Sequence, residues 1–381
     1  MVGLTGNNNI TEVRLLRKLR YLDFFAGIGG FHSAFERVGW ECVGFCEIDK
    51  FARQSYKAIH NVEGAKEWHD ITAVTDDEFS SLHGQVDVIA GGFPCQAFSV
   101  AGKRGGFEDS RGTLFFEVAR AAKAIKPKYL ILENVKGLLS HDKGNTVDVI
   151  LRTLNELGYT VDFEVLNTKF FGVPQNRERI FIVAVRDDLV AQEAWDIKGT
   201  GIVAKAKKRF SGESGVNSFN FFGWASAYDV VGAKLRDVLE TEVDAKYYLD
   251  DGRLSGFVEK IPAGLRAKEA TTVGYADAFP GDAVNISHPK SKTRRGRVGR
   301  EMANTLLTGV EQAVVADDLR LRQLTPLECW RLQDFTDEQF AKARAAGVSD
   351  SQLYKQAGNS VTVKVVEVIA HNLAALDARL R

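Results

Sequence analysis

Tyr21-Leu22-Asp23-Phe24-Phe25-Ala26-Gly27-Ile28-Gly29-Gly30-Phe31 is the stretch whose reading decides the fold. Tyr21–Phe25 reads as an apolar strand and Gly27–Gly30 as a turn. Phe31, Ala34, Phe35 and Val38 then recur at helical spacing until Gly39 stops the helix. A strand turning sharply into a helix is the opening unit of a doubly wound α/β sheet. The alternation continues. Cys42 to Ile48 reads as a second strand, and Asp49 as the N-cap of a helix carrying Phe51, Ala52 and Tyr56. Strands are expected at 86–90, 129–132, 161–166 and 180–185, with helices at 114–125 and 146–157 between them. The prediction is a Rossmann-like, mostly parallel sheet covered on both faces.

The glycine turn has the character of a nucleotide-binding loop. Glycines there let a ligand approach the backbone beside a helix N-terminus. Glu47 ends the next strand twenty residues after Gly27, where a carboxylate accepts from both ribose hydroxyls. A dinucleotide fingerprint asks for a third glycine at position 32, but His32 stands there. That argues against a pyrophosphate cofactor and leaves room for an adenosyl ligand without phosphates. Asp70 admits two readings: an acceptor for an adenine amino group, or a helix cap or Asx-turn.

Gly91-Gly92-Phe93-Pro94-Cys95-Gln96-Ala97-Phe98-Ser99 places a cysteine in a tight turn just past the expected end of an apolar strand. A packing cysteine sits inside such a run. Strand ends facing the crevice of an open sheet are where ligands bind, so Cys95 reads as a nucleophile. Glu133 follows the apolar strand Tyr129–Leu132. It is either a solvated strand-end glutamate or a partly desolvated acid suited to proton donation. Arg177 and Arg179 alternate and so point the same way in an extended segment, as a surface network or as a clamp on a phosphate or carbonyl oxygen.

Bulk properties narrow the field. The chain has 381 residues and a formal net charge of zero, so any nucleic-acid binding needs a local basic patch. Cys42, Cys46, Cys95 and Cys329 form no CxxC pair, and no Cys/His cluster has zinc-ligand spacing. Cys42 and Cys46 are expected to pack in a strand, in a reducing cytoplasm. Residues 1–20 are polar and basic, without a signal or membrane segment, and are expected to be a disordered lead-in.

These blocks, in this order, resemble the cytosine-C5 DNA methyltransferases of bacterial and phage type, which use S-adenosylmethionine. The likeness runs through Asp23–Phe31, Glu47, Asp70-Ile71, Gly91–Ser99, Arg111–Phe116, Glu133–Gly137 and Gln175–Ala184. It resumes with Leu324–Cys329 and Gln352–Val361. The resemblance implies that the Cys95 thiolate adds to C6 of a flipped cytosine. It assigns Glu133 to N3 and the amino group, Arg179 to O2, and Arg177 to holding Cys95 and the sugar–phosphate. For the methyl donor it implies Phe25 near the adenine with Ala26, Gly27, Gly29 and Gly30 around it, and Glu47 and Ile48 at the ribose. Asp70 and Ile71 would contact the adenine, Pro94 and Leu114 would flank the methionine part, and Asn359 and Ser360 would take its carboxylate. It implies no metal, double-stranded DNA as partner with a cognate restriction endonuclease as a further one, a monomeric chain, and a location in the bacterial cytoplasm.

Residues 190 to about 318 break the alternation and shift to Gly, Ser, Asp and aromatic residues. By the resemblance, residues 189–320 form a target-recognition domain, 1–188 with 353–381 the catalytic domain, and 321–352 a connecting hinge. Lys290, Lys292, Arg294, Arg295, Arg297 and Arg300 form the basic patch expected to hold phosphates. Thr305 resembles the family's target-phosphate threonine, and Gln96 and Ser99 lie on the loop expected to close over DNA. The run Lys205–Arg209 is expected to be solvated surface. Two rival readings are a tRNA-directed enzyme of the same family and a catalytically inert binding module. The length of the recognition segment argues against the first, and the intact Cys95, Glu133, Arg177 and Arg179 against the second.

Overall fold

The structure is a computed structural model that describes residues 18–94, 114–212, 215–230, 232–250 and 256–380. Cys95, Gln96 and Ser99 lie outside the described residues, as does the expected lead-in through residue 17. The opening stretch folds as predicted: β1 (Arg20–Phe24), a turn, then α1 (Gly30–Arg37). Next come β2 (Glu41–Cys46), α2 (Lys50–Ile59), β3 (Lys66–Trp68), α3 (Asp76–Ser80), β4 (Val88–Gly92), α4 (Leu114–Ile125) and β5 (Tyr129–Val135). The first half closes with α5 (Asn145–Glu156), β6 (Tyr159–Asn167), a two-residue β7 (Gln175–Asn176) and β8 (Glu178–Arg186).

Seven strands form one sheet in the order β3-β2-β1-β4-β5-β8-β6. Neighbours from β3 through β5 are parallel, and β8 runs antiparallel to both β5 and β6. The reversal follows from the connection. Between β6 and β8 the chain has no crossover helix, and a short link joins only antiparallel neighbours. On one face α1 packs with α10 (Val363–Arg379) through Phe31, Phe35, Val366, Ile369 and Leu373. On the other, α4 and α5 contribute Phe115, Val118, Ile150 and Leu154. The C-terminal helix therefore returns to the first sheet, as the sequence predicts.

Three boundaries differ from expectation. Gly91 and Gly92 do not end the strand; they belong to β4 and pair with Leu132 and Glu133. Glu133 and Asn134 lie within β5 rather than after it. β2 stops at Cys46, and Ile48 beyond it is 71% exposed. Asp49 does cap α2, accepting from the Phe51 and Ala52 amides at 2.8 and 3.1 Å.

The chain after β8 does not leave this sheet at residue 189. Helix α6 (Ile202–Phe210) and residues 216–222 cover the outer side of β6, with Val161 donating to Asn217 O at 3.0 Å. Asp162 is the anchor. Its Oδ1 accepts from Lys207 at 2.7 Å, and its Oδ2 from the amides of Phe221 and Phe222 at 2.8 and 2.9 Å. Lys207 was expected at the surface with its neighbours, yet it is buried beside Phe163 and Trp195. A helix carries its side chains all round, so one lysine of a basic run can face inward where a carboxylate waits.

A separate small core appears only from Phe257 onward, around Leu265, Val284, Ala313 and Leu321. It lies between two antiparallel sheets. One is β9 (Val258–Ile261), β10 (Gly264–Lys268) and β11 (Tyr275–Ala278). The other is β12 (Ala283–Asn285), β13 (Val298–Gly299), β15 (Gln312–Val315) and β16 (Leu321–Gln323). β14 (Ala303–Asn304) instead runs parallel to β7 in a separate two-stranded sheet, which ties this unit to the link between β6 and β8. The expected hinge, residues 321–352, holds α7 (Pro326–Arg331) and α8 (Asp337–Ala345). Its Trp330, Phe335 and Phe340 sit in the same core as Leu353 of α9 (Asp350–Asn359).

Replacing Lys207 with methionine strands the Asp162 charge in this layer and should cost about 3–5 kcal/mol. Lys205→Met, at an exposed position of the same helix, should stay within about 0.5 kcal/mol. Urea midpoints of the two variants check this.

Candidate active site

The C-terminal ends of β1, β2, β4 and β5 open onto a cavity of about 410 Å³. One end lies against the turn between β1 and α1. Phe25 begins the turn with φ +54°, a left-handed conformation that costs a non-glycine residue about 1–2 kcal/mol. Gly27 follows at φ +56°, and a side chain there would meet nothing within 4 Å, so its backbone faces open cavity. Gly29 and Gly30 work differently. A Cβ on Gly29 would lie 2.1 Å from the His60 ring, and one on Gly30 would lie 2.6 Å from Val361. These two glycines make room for the protein's own packing, not for a ligand. Ala26 and Ser360 also lie off the cavity wall, whereas Phe25, Gly27, Ile48, Asp70, Ile71, Pro94, Leu114 and Asn359 line it.

Glu47 joins the turn to the wall. Its two carboxylate oxygens accept from the Gly27 amide at 2.8 Å and the Asp49 amide at 2.7 Å. Burial raises its pKa against the lowering effect of those amides. Each oxygen keeps a second lone pair for a ligand hydroxyl. Asp70 bears out its cap reading. It caps a short 3₁₀ turn, accepting from the Thr72 amide and hydroxyl at 2.9 and 2.7 Å, and it lines the cavity. The Thr72 hydroxyl and amide hold its carboxyl below the usual range.

The other end is built by β4, β5 and β8. Glu133 lies beside Gly92 in register, where a Cβ on Gly92 would come within 2.9 Å of its carboxylate. Its Oε1 meets Arg179 Nε at 3.0 Å. Burial raises the Glu133 pKa, opposed by Arg179 and then Arg177. Burial also lowers Arg179, with Glu133 opposing. Glu133 is thus the desolvated acid of its two readings.

Arg177 and Arg179 both reach the cavity, as their alternation predicts, and Arg177 is also held by backbone; Cys95, its expected partner, lies outside the described residues. Arg177 is 2% exposed, and its guanidinium donates to the carbonyls of Leu306, Gly358 and Ser360 at 3.1, 3.1 and 2.7 Å. Burial and Arg179 push its pKa down to about 9. Sequence reasoning missed two positioning residues. Asn134 donates to Phe93 O at 2.8 Å and holds the exit of β4 just before Pro94. Lys355 reaches Asp49 at 2.6 Å across the cavity wall. Both sit beside residues that the sequence singled out, but their partners are remote in the chain.

The basic patch divides. Lys290, Lys292 and Arg295 are exposed and Arg294 is half-buried. Arg297, expected to hold phosphate, is 1% exposed and donates to the carbonyls of Asn285, Ser287 and His288. It braces the loop that carries the others. Arg300 pairs with Asp282 at 2.6 Å. The Thr305 hydroxyl donates to Asn176 O at 2.7 Å, beside the β7–β14 joint. Among the described residues, no helix is long and apolar enough to cross a membrane.

Residues 19–375 match the model of the C-5 cytosine-specific DNA methylases. The chain is 38% identical to the orphan methyltransferase M.SPRI of Bacillus phage SPR, over 93% of this chain and 97% of that protein. It is 35% identical to the type II methyltransferase M.HhaI of Haemophilus parahaemolyticus, over 94% and 95%. The fold resembles that of the S. pombe Dnmt2 methyltransferase, with TM-score 0.59 and 18% identity, over 95% of this chain and 99% of that one. The chain belongs to the C-5 cytosine-specific DNA methylase family.

Proposed function

We propose that this protein transfers a methyl group from S-adenosylmethionine to C5 of a cytosine flipped out of double-stranded DNA, through a covalent bond between Cys95 and C6. The observation that supports it best is the Glu133–Arg179 pair, placed in one cavity with the Gly27–Glu47 slot. The residues present suit the cofactor. Glu47 offers oxygens to ribose hydroxyls, Phe25 and Ile71 offer apolar walls to adenine, and Asn359 lies at the end where a carboxylate would rest. Bound there, S-adenosylmethionine supplies a methyl group on a sulfonium.

C5 of cytosine is a weak nucleophile until C6 is attacked. Cys95, two residues past the Phe93 carbonyl held by Asn134, supplies the thiolate. As the S–C6 bond forms, the ring's electron pair moves toward C5 and N3. Glu133, whose pKa burial raises against the opposing arginines, donates its proton to N3 and accepts from the amino group. Arg179, held against Glu133 at 3.0 Å, donates to O2. Arg177 holds the wall by its three carbonyls and touches the site through Arg179 and Glu133. A base then removes the C5 proton, and Cys95 leaves with the electron pair of the S–C6 bond.

The recognition unit is proposed as the part built on the small core from about residue 257, with Lys290, Lys292, Arg294 and Arg295 meeting phosphates. The segment 189–240 is assigned with the catalytic sheet on which it packs. The length of chain given over to a separate reader favours DNA over tRNA as substrate.

A duplex carrying 5-fluorocytosine at the target should trap a covalent adduct on the Cys95 peptide, read by mass spectrometry; recovery of that peptide unmodified would end the mechanism. Glu133→Gln should lower kcat by about 10²–10⁴-fold. Because the raised pKa keeps Glu133 protonated to higher pH than an ordinary glutamate, the wild-type rate should fall as pH rises through that pKa. The variant should lack this limb. Glu47→Ala should weaken S-adenosylmethionine binding in calorimetry by about tenfold or more, equal to about 1.4 kcal/mol, with DNA affinity unchanged. Lys290→Ala, Lys292→Ala and Arg295→Ala should each flatten the salt dependence of DNA binding by about one charge. Arg297→Ala should instead lower stability.

A further inference from the structure

His32 and His60 meet behind the glycine turn, outside the cavity. His32 lies on α1 and His60 directly follows α2. Their rings stack at 4.0 Å between centroids with 27° between planes. Both are almost fully buried, at 4% and 5% exposure. Each ring has two nitrogens, one held by a neighbour and one left over.

The hydrogen bonds say which nitrogens these are. His60 Nε2 lies 3.0 Å from the Ile28 carbonyl, which only accepts, so Nε2 carries the proton. His60 Nδ1 is then a bare acceptor, and it is buried without a hydrogen-bond partner. His32 Nδ1 lies 2.8 Å from the Tyr56 hydroxyl, and that hydroxyl donates to Asp23 at 3.4 Å. With the His32 proton on Nδ1, that nitrogen donates to the phenol oxygen and Nε2 offers its lone pair. Glu36, one turn beyond His32 on α1, is exposed at the rim. One donor atom from each of His32, Glu36 and His60 lies within 4.8 Å of the others.

We infer that His32, Glu36 and His60 form a binding site for a borderline divalent transition-metal ion, with zinc as the best match. Two neutral imidazoles and a carboxylate are a zinc donor set, and three protein ligands leave the fourth position for water. Each imidazole already has the outer partner that orients a metal-bound histidine: a backbone carbonyl for His60, and the Tyr56–Asp23 pair for His32. Ligands about 2.0–2.1 Å from a tetrahedral ion lie roughly 3.3 Å apart. The three donor atoms lie within 4.8 Å of one another, and the exposed Glu36 side chain can turn toward the two rings to tighten the set. An orphaned buried nitrogen is costly, and coordination would satisfy it. The histidines lie 28 residues apart in sequence (60 − 32) and show no ligand spacing; only the docking of α1 on α2 brings them together. The ion would tie α1 to the chain after α2 through His60, whose ring braces Ile28 of the cofactor turn.

The test uses the full chain without an affinity tag, stripped with EDTA and then given zinc. After gel filtration, elemental analysis should find about one zinc per wild-type chain. Cobalt should give the visible absorption of a four-coordinate site. Glu36→Gln, at an exposed position, should weaken zinc binding by at least the 10–100-fold that loss of an outer partner costs. His60→Gln should abolish the cobalt spectrum, and zinc should raise the melting temperature of wild type but not of this variant. Less than a tenth of an equivalent of zinc on wild type would overturn the inference. So would full retention by Glu36→Gln together with an unchanged cobalt spectrum. Should His60→Gln fail to fold, the Glu36→Gln comparison alone decides. None of these readouts depends on methyl transfer.

Discussion

The buried Arg177 guanidinium is the joint on which the cavity depends. Its donors take carbonyls from Leu306, Gly358 and Ser360, segments that the chain reaches 129 to 183 residues later. Around it the packing is tight: a Cβ on Gly358 would lie 2.0 Å from Leu307 O. Charge-assisted hydrogen bonds of this kind are worth about 1.5–3 kcal/mol each, and leaving those carbonyls unpaired in the interior would cost comparably. The burial of a cation is tolerable because Glu133 stands on the same wall, the one acid that opposes the loss of its charge.

That arrangement couples two functions of the wall. Burial raises the Glu133 pKa, and the charges of Arg179, 3.0 Å from the carboxylate, and then of Arg177 oppose that rise. Opposing influences of this kind suit the proton donation proposed for it. Gly92 contributes by leaving the space that the carboxylate fills.

Much of this was legible in the chain. Asp49 as a helix cap, Glu47 at the first turn, and the order of helices and strands follow from local pattern and spacing, and the return of the C-terminal helix from the family resemblance. The errors share a cause. Gly91 and Gly92 look like strand breakers, yet a parallel strand tolerates them where neighbouring backbone and a carboxylate need the room. Gly29 and Gly30 look like a ligand cradle, yet they admit His60 and Val361. Arg297 and Lys207 look like surface charge, yet each meets buried acceptors. A glycine or a charge announces that something comes close, without saying what.

The sequence by itself determined the α/β class, the chemical types at the crevice and the family. These rest on periodicity and on motifs contiguous in the chain, where each residue's neighbours are known. Only the tertiary structure decided which glycines face the ligand, which arginines reach solvent, and that Arg177 is a brace. It alone brought His32, Glu36 and His60 together. Those outcomes depend on contacts between residues remote in sequence, and burial and pairing there outweigh any local preference.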